Sequence, residues 1–159
     1  MTDPGADDRP LDAAALVQVA LLGQAAGPVV ATGFPSIDSL LGGGVRRGDL
    51  GVLAGDVGAG KSALALAIVL RATAAGRTAA YLTGEMTAAR VMERALAMEG
   101  RVRVDDFRRQ ALDDVSHAAV ATAALGLRRQ PPLCDDLGDA EVAGVSDFLA
   151  QHLGVELTI

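Results

Sequence analysis

Eight consecutive residues, Gly55-Asp56-Val57-Gly58-Ala59-Gly60-Lys61-Ser62, match the pattern G-x-x-x-x-G-K-[ST] in full, and what flanks them narrows the fold to one class. Residues 49–54 (DLGVLA) read as a short buried strand running into the loop, and residues 62–75 read as an apolar helix leaving it. Strand, glycine-rich loop and helix in that order form the front of a nucleotide-binding α/β unit. Lys61 is the only lysine in the chain, all its other basic residues being arginine. The loop position thus holds the one slim ammonium, a compact point charge that fits between phosphate oxygens where a planar guanidinium is too broad.

The chemistry of the pattern assigns a task to each residue. Gly55, Gly58 and Gly60 are expected to take positive φ angles, so that the backbone closes around a polyphosphate and its N–H groups form an anion-binding nest. The helix that begins near Lys61 directs its positive dipole end at the same anion. On this reading residues 55–63, comprising Gly55, Asp56, Val57, Gly58, Ala59, Gly60, Lys61, Ser62 and Ala63, hold the phosphates of a nucleotide. Lys61 reaches the β and γ phosphates, and the Ser62 hydroxyl ligates Mg²⁺.

At 159 residues the chain is long enough to bury a core without disulfide or metal staples. Half of it is apolar, chiefly Ala, Val and Leu, which suits a parallel sheet covered on both faces by helices. A net charge of −6 argues against nucleic-acid binding by the surface as a whole and leaves room for a local basic groove. The lone Cys134 cannot form an internal disulfide, which fits a cytoplasmic setting, and it is expected to be a small buried hydrophobe in a strand. Residues 1–10 read as a disordered acidic tip and residues 11–29 as a helix and linker. The apolar run 11–22 follows acids where a signal peptide needs bases, and it is too short to span a bilayer.

Downstream, strand and helix alternate as a doubly wound sheet requires. Residues 78–83 are expected to form a strand, and Thr87 to cap a helix reaching about Glu99 with Val91, Ala95 and Met98 on one face. A charged segment, 101–109, leads to a helix at about 112–127 that Pro131-Pro132 terminates. Leu133-Cys134 reads as a brief strand, Asp139 as the start of a helix to about Leu153, and residues 155–159 as a further strand.

A phosphate loop binds nucleotide, but hydrolysis also needs a carboxylate that orients the attacking water and, as a rule, a second acid in the Mg²⁺ shell. Glu85 follows the strand ending at Thr83, and in open α/β sheets ligands gather at such strand ends. The alternative for Glu85 is a helix-initiating acid favoured by the dipole near Thr87. For the second acid, Asp135 and Asp136 compete with a residue expected to follow the 155–159 strand. His117 and His152 lie far apart on expected helices with no zinc-ligand spacing. Phe34, Phe107, Phe148 and Tyr81 are too scattered for a base-stacking platform. The arginine pairs 46-47, 108-109 and 128-129 read as solvated ion-pair partners in preference to phosphate contacts.

The order of motifs resembles the C-terminal motor domain of DnaB-type replicative DNA helicases. The resemblance rests on residues 32–44 (TGFPSIDSLLGGG), on Gly48-Asp49-Leu50, the 55–62 loop and Thr83-Gly84-Glu85-Met86. It continues in Arg94-Ala95-Leu96-Ala97, Phe107-Arg108-Arg109 and residues 131–136 (PPLCDD), so it covers about residues 30–159. It implies a RecA-like P-loop NTPase core, a mainly parallel sheet flanked by helices, incomplete at the C-terminus. It also implies Glu85 as the water-activating acid beside Lys61, ATP and Mg²⁺ as ligands, and a homo-oligomeric ring moving on single-stranded DNA, with no membrane involved. In such rings a neighbour's arginine completes the site. Gly84 departs from the pattern, standing where DnaB has leucine; Thr83-Gly84-Glu85 is similar to the related RadA and KaiC-like ATPases of recombination or signalling. The acid after residue 159 would hold Mg²⁺, so the segment alone is expected to hydrolyse ATP weakly, and a noncatalytic nucleotide-binding fragment is the remaining alternative.

Overall fold

The computed structural model describes residues 29–46 and 48–136. The expected helices at 11–22 and 139–153, the 155–159 strand, Asp139, Phe148 and His152 lie outside the described residues.

Within them the chain forms a small antiparallel hairpin, then a helical layer on a parallel strand pair. Strand β1 (Val29–Val30) pairs antiparallel with β2 (Val45–Arg46), Val30 facing Val45. Between them helix α1 (Pro35–Leu40) starts with proline in its first turn, where the missing N–H is no loss. The Thr32 amide and hydroxyl both donate to Asp38 Oδ1 at 2.7 Å, which ties the β1 exit to the helix. These bonds favour the ionised carboxylate and hold the Asp38 pKa below its ordinary value. Gly44 sits at φ 139°, and a Cβ there would lie 2.3 Å from the Val30 carbonyl oxygen, so the close approach of the two strands requires glycine.

Helix α2 (Lys61–Ala74) leaves the loop one residue earlier than expected and presents Leu66 and Leu70, four apart, to the core. Helix α3 (Ala88–Glu99) begins as the sequence requires, with the Thr87 hydroxyl accepting the Arg90 amide. Its Val91 and Ala95 are both 0% exposed and meet Leu66 and Leu70. Tyr81, Met86, Met92, Met98, Leu127 and Cys134 pack around that cluster. Burial raises the Cys134 thiol pKa, in keeping with a packing role, although the residue is only half-buried.

Strand β3 (Ala80–Thr83) pairs in parallel with β4 (Leu133–Asp136), in register from Ala80 opposite Leu133 to Thr83 opposite Asp136. The chain between them contains α3, the short α4 (Val104–Arg108) and α5 (Asp114–Arg129), which Asp113 caps through the Ser116 amide at 2.8 Å. Helix α4 occupies the segment read only as charged: Asp105 and Asp106 in its first turn and Arg108 in its last complement the dipole. Arg108 also pairs with Glu93 at 2.9 Å, both side chains well exposed, a solvated ion pair as the sequence indicates.

One expectation needs correction. Residues 49–54 form no strand; Leu50 is 90% exposed and Val52 84%. A strand needs a partner for its N–H and C=O groups, and no described strand lies beside this segment, so an apolar run with strand-like composition stays unpaired among the described residues. Of the expected mainly parallel sheet, the described residues show the β3·β4 pair, and the other pairing among them is antiparallel.

Candidate functional site

The 55–62 loop is built by glycines and closed by its own lysine. Gly58 (φ 81°) and Gly60 (φ 90°) take the left-handed conformation, and the Ala59 amide donates to the Asp56 carbonyl at 3.2 Å across the turn. Gly55 does not have the positive φ expected of it. The reversal is completed at Gly58 and Gly60, and a Cβ at Gly55 would make only ordinary contacts, 3.5 Å from Ala59 Cβ and 3.9 Å from Lys61 Cγ. The lysine folds back over the loop, its Nζ donating to the carbonyls of Gly55 (2.7 Å) and Asp56 (2.8 Å). An anion between the loop and Lys61 would compete with these carbonyls for the same protons.

Gly60 is the N-cap of α2, with no side chain to cap the helix and no acid in its first turn. The amides at that end therefore face outward with their positive partial charge unanswered, whereas α3 and α5 carry side-chain caps. Gly58, Gly60, Lys61, Ser62 and Ala63 line a cavity of about 250 Å³, and one residue from outside the loop, Arg94 of α3, lines it with them. Ser62 lines that cavity next to Lys61, and its hydroxyl is a hard oxygen of the type Mg²⁺ selects. Asp56 and Val57 stand exposed on the outer arc of the loop.

Glu85 lies beyond the C-terminal end of β3, exposed, in a turn where the Thr83 hydroxyl accepts the amides of Glu85 and Met86, each at 3.2 Å. It does not line the cavity around Lys61. Parallel register places Asp136 opposite Thr83, so Asp135, Asp136 and Glu85 collect at one end of the β3·β4 pair. Arg94 was not singled out as a site residue by its sequence. Its signal is positional: a charged residue three after the buried Val91 and directly before the buried Ala95, it stands at the border of the core-facing stripe of α3.

A glycine-built loop feeding an uncapped helix, with a lysine bound back onto the loop and acids at the end of a nearby parallel strand, is the framework of a RecA-like P-loop domain. The chain belongs to the DnaB-like helicase C terminal domain family, whose model matches residues 29–151. It is also similar to the DNA repair protein RadA of Mycobacterium tuberculosis (strain ATCC 25618 / H37Rv), 38% identical over 84 residues, which is 53% of this chain and 18% of that protein. The RadA proteins of Mycolicibacterium smegmatis and Aquifex aeolicus are 44% and 42% identical over 64 residues, 40% of this chain and 14% of each relative. The chain thus spans under a fifth of the length of these relatives. Family and relatives together make it a RecA-family ATPase domain. Among the described residues no helix is long and apolar enough to cross a membrane.

Proposed function

We propose that this chain carries the ATP-binding part of a DNA helicase motor that couples nucleotide hydrolysis to movement on single-stranded DNA in replication. Residues 55–63 hold the phosphates of ATP in main-chain amides, Lys61 neutralises the β and γ groups, and Ser62 binds the Mg²⁺ that shields the triphosphate charge. Glu85 orients the attacking water and takes its proton. The protein works in the cytoplasm as a homo-oligomeric ring in which a neighbouring subunit supplies an arginine. The observation that carries this reading is the 55–62 loop itself, where Lys61 and the free end of α2 converge on one small cavity.

Titration calorimetry with ATP, with and without Mg²⁺, is the direct test. Wild type should bind in a magnesium-dependent way, and Lys61→Ala should lose about two orders of magnitude in affinity, as expected when a buried charge-assisted contact to phosphate is removed. Undiminished affinity in the variant would refute the phosphate-loop assignment.

A second reading, a RadA-like ATPase of DNA repair, is favoured by the RadA relatives and by Thr83-Gly84-Glu85. The two part on a forked duplex: ATP-dependent strand separation supports the replicative motor, and ATP turnover stimulated by single-stranded DNA without separation supports the repair enzyme.

A further inference from the structure

We propose that Arg94 is a second phosphate-binding cation of the nucleotide site, acting from the same chain as the loop. This rests on the nucleotide-binding reading of the 55–62 loop and adds to it a residue that lies 32 positions past the end of the GKS tripeptide signal, on another helix.

Three observations converge on the residue. Arg94 lines the cavity formed by Gly58, Gly60, Lys61, Ser62 and Ala63, and it is the one member of that lining contributed by α3. It also lines an adjoining, mainly apolar cavity of about 420 Å³ with Ala63, Leu66, Met98 and Val102, which the charged Asp105 and Arg108 line as well. Arg94 is half-buried and borders both cavities, a position from which an arginine can lay its aliphatic stem on apolar surface while its guanidinium serves the polar side. Finally, among the described residues no carboxylate is paired with Arg94, whereas Arg108, which lines the same apolar cavity, is paired with Glu93.

Charge balance gives the position its purpose. The loop contains its own carboxylate, Asp56, which offsets the charge of Lys61, and a magnesium-bound triphosphate is still an anion. Arg94 restores a net positive charge to the cradle. Its planar fork grips two phosphate oxygens at once, a geometry the Lys61 ammonium does not offer. Because it sits on α3, which starts just after the Glu85 turn, it also links the phosphates to the segment bearing the proposed water-activating acid.

The experiment uses the chain as it stands and two probes, magnesium-ATP and magnesium-tripolyphosphate, the latter having no base or sugar. Arg94→Ala should weaken both by about ten-fold or more, Arg94→Lys should recover part of the loss, and Arg128→Ala on α5 should change neither. Circular dichroism reports whether each variant is folded; should Arg94→Ala unfold, Arg94→Gln, which keeps the stem without the charge, gives the same reading. Unchanged binding of both probes in a folded Arg94 variant, while Lys61→Ala abolishes both, would overturn the proposal and leave the loop assignment intact. Loss confined to ATP, with tripolyphosphate unaffected, would make Arg94 a base contact and would equally overturn it. If wild type bound neither probe, the loop assignment would fall first and the role of Arg94 with it.

Discussion

At the scale of single residues, Lys61 and Glu85 are held in different ways, and the difference sets what their variants should do. Lys61 is anchored to two carbonyls of its own loop, so its removal leaves the Gly55 and Asp56 carbonyls facing solvent and the fold undisturbed. Glu85 is exposed, and among the described residues only its main chain is bonded, to Thr83. Glu85→Gln should therefore keep the affinity for magnesium-ATP within about two-fold and lower single-turnover hydrolysis by about 10²-fold or more, the usual worth of a positioned general base. Turnover at the wild-type rate in a quenched-flow assay would transfer the task to Asp135 or Asp136, which reach the same strand end. The phosphate loop is legible in sequence because all its parts are contiguous and its spacing follows from covalent geometry. Arg94 is not, since only the packing of α3 on α2 brings it to the loop.

Secondary-structure elements follow the same rule of locality. Helices α2, α3 and α5 could be read from apolar spacing and the start of α3 from its Thr87 cap, because each signal lies within one or two turns of what it controls, whereas α5 begins two residues later than expected, after its Asp113 cap. The β1·β2 hairpin could not, as its strands are two residues long and their pairing joins Val29 to Arg46 across an intervening helix. Helix α3 ends on a strained residue. Arg101 takes φ 53° so that its own amide can reach the Met98 carbonyl (3.2 Å) and the Val102 amide the Ala97 carbonyl (2.9 Å). Helices usually give that position to glycine, which carries no Cβ penalty. Arg101→Gly should thus raise unfolding stability by about 0.5–1 kcal/mol, part of the left-handed penalty being offset by the greater backbone entropy of glycine. A urea titration reads the change as a higher midpoint at constant slope. A lower midpoint would mean that the Arg101 side chain makes a contact worth more than the strain.

Over the whole molecule, burial is uneven. The core around Leu66, Leu70, Val91 and Ala95 is closed, while Leu50, Val52, Leu53 and Val57 stand in solvent along the approach to the phosphate loop. Their apolar character is what made a buried strand the natural reading of residues 49–54; composition reports what a segment is suited to, and pairing depends on a neighbour that composition does not supply. Contiguous apolar exposure of this kind attracts hydrophobic probes. The chain should bind anilinonaphthalene sulfonate in the folded state, and Val52→Lys should reduce that fluorescence without lowering the melting temperature. Equal fluorescence in the variant would place the dye-binding surface elsewhere.

Arg71, near the C-terminal end of α2, donates to the Gly33 carbonyl and stacks over the Phe34 ring at 4.0 Å. A Cβ on Gly33 would lie 2.7 Å from Arg71 Cβ, so the two segments are clasped with no slack. The phosphate cradle sits at the opposite end of that same helix, which makes α2 a rigid rod clamped at its tail. One helix therefore joins the loop proposed to hold the phosphates directly to the segment between β1 and α1.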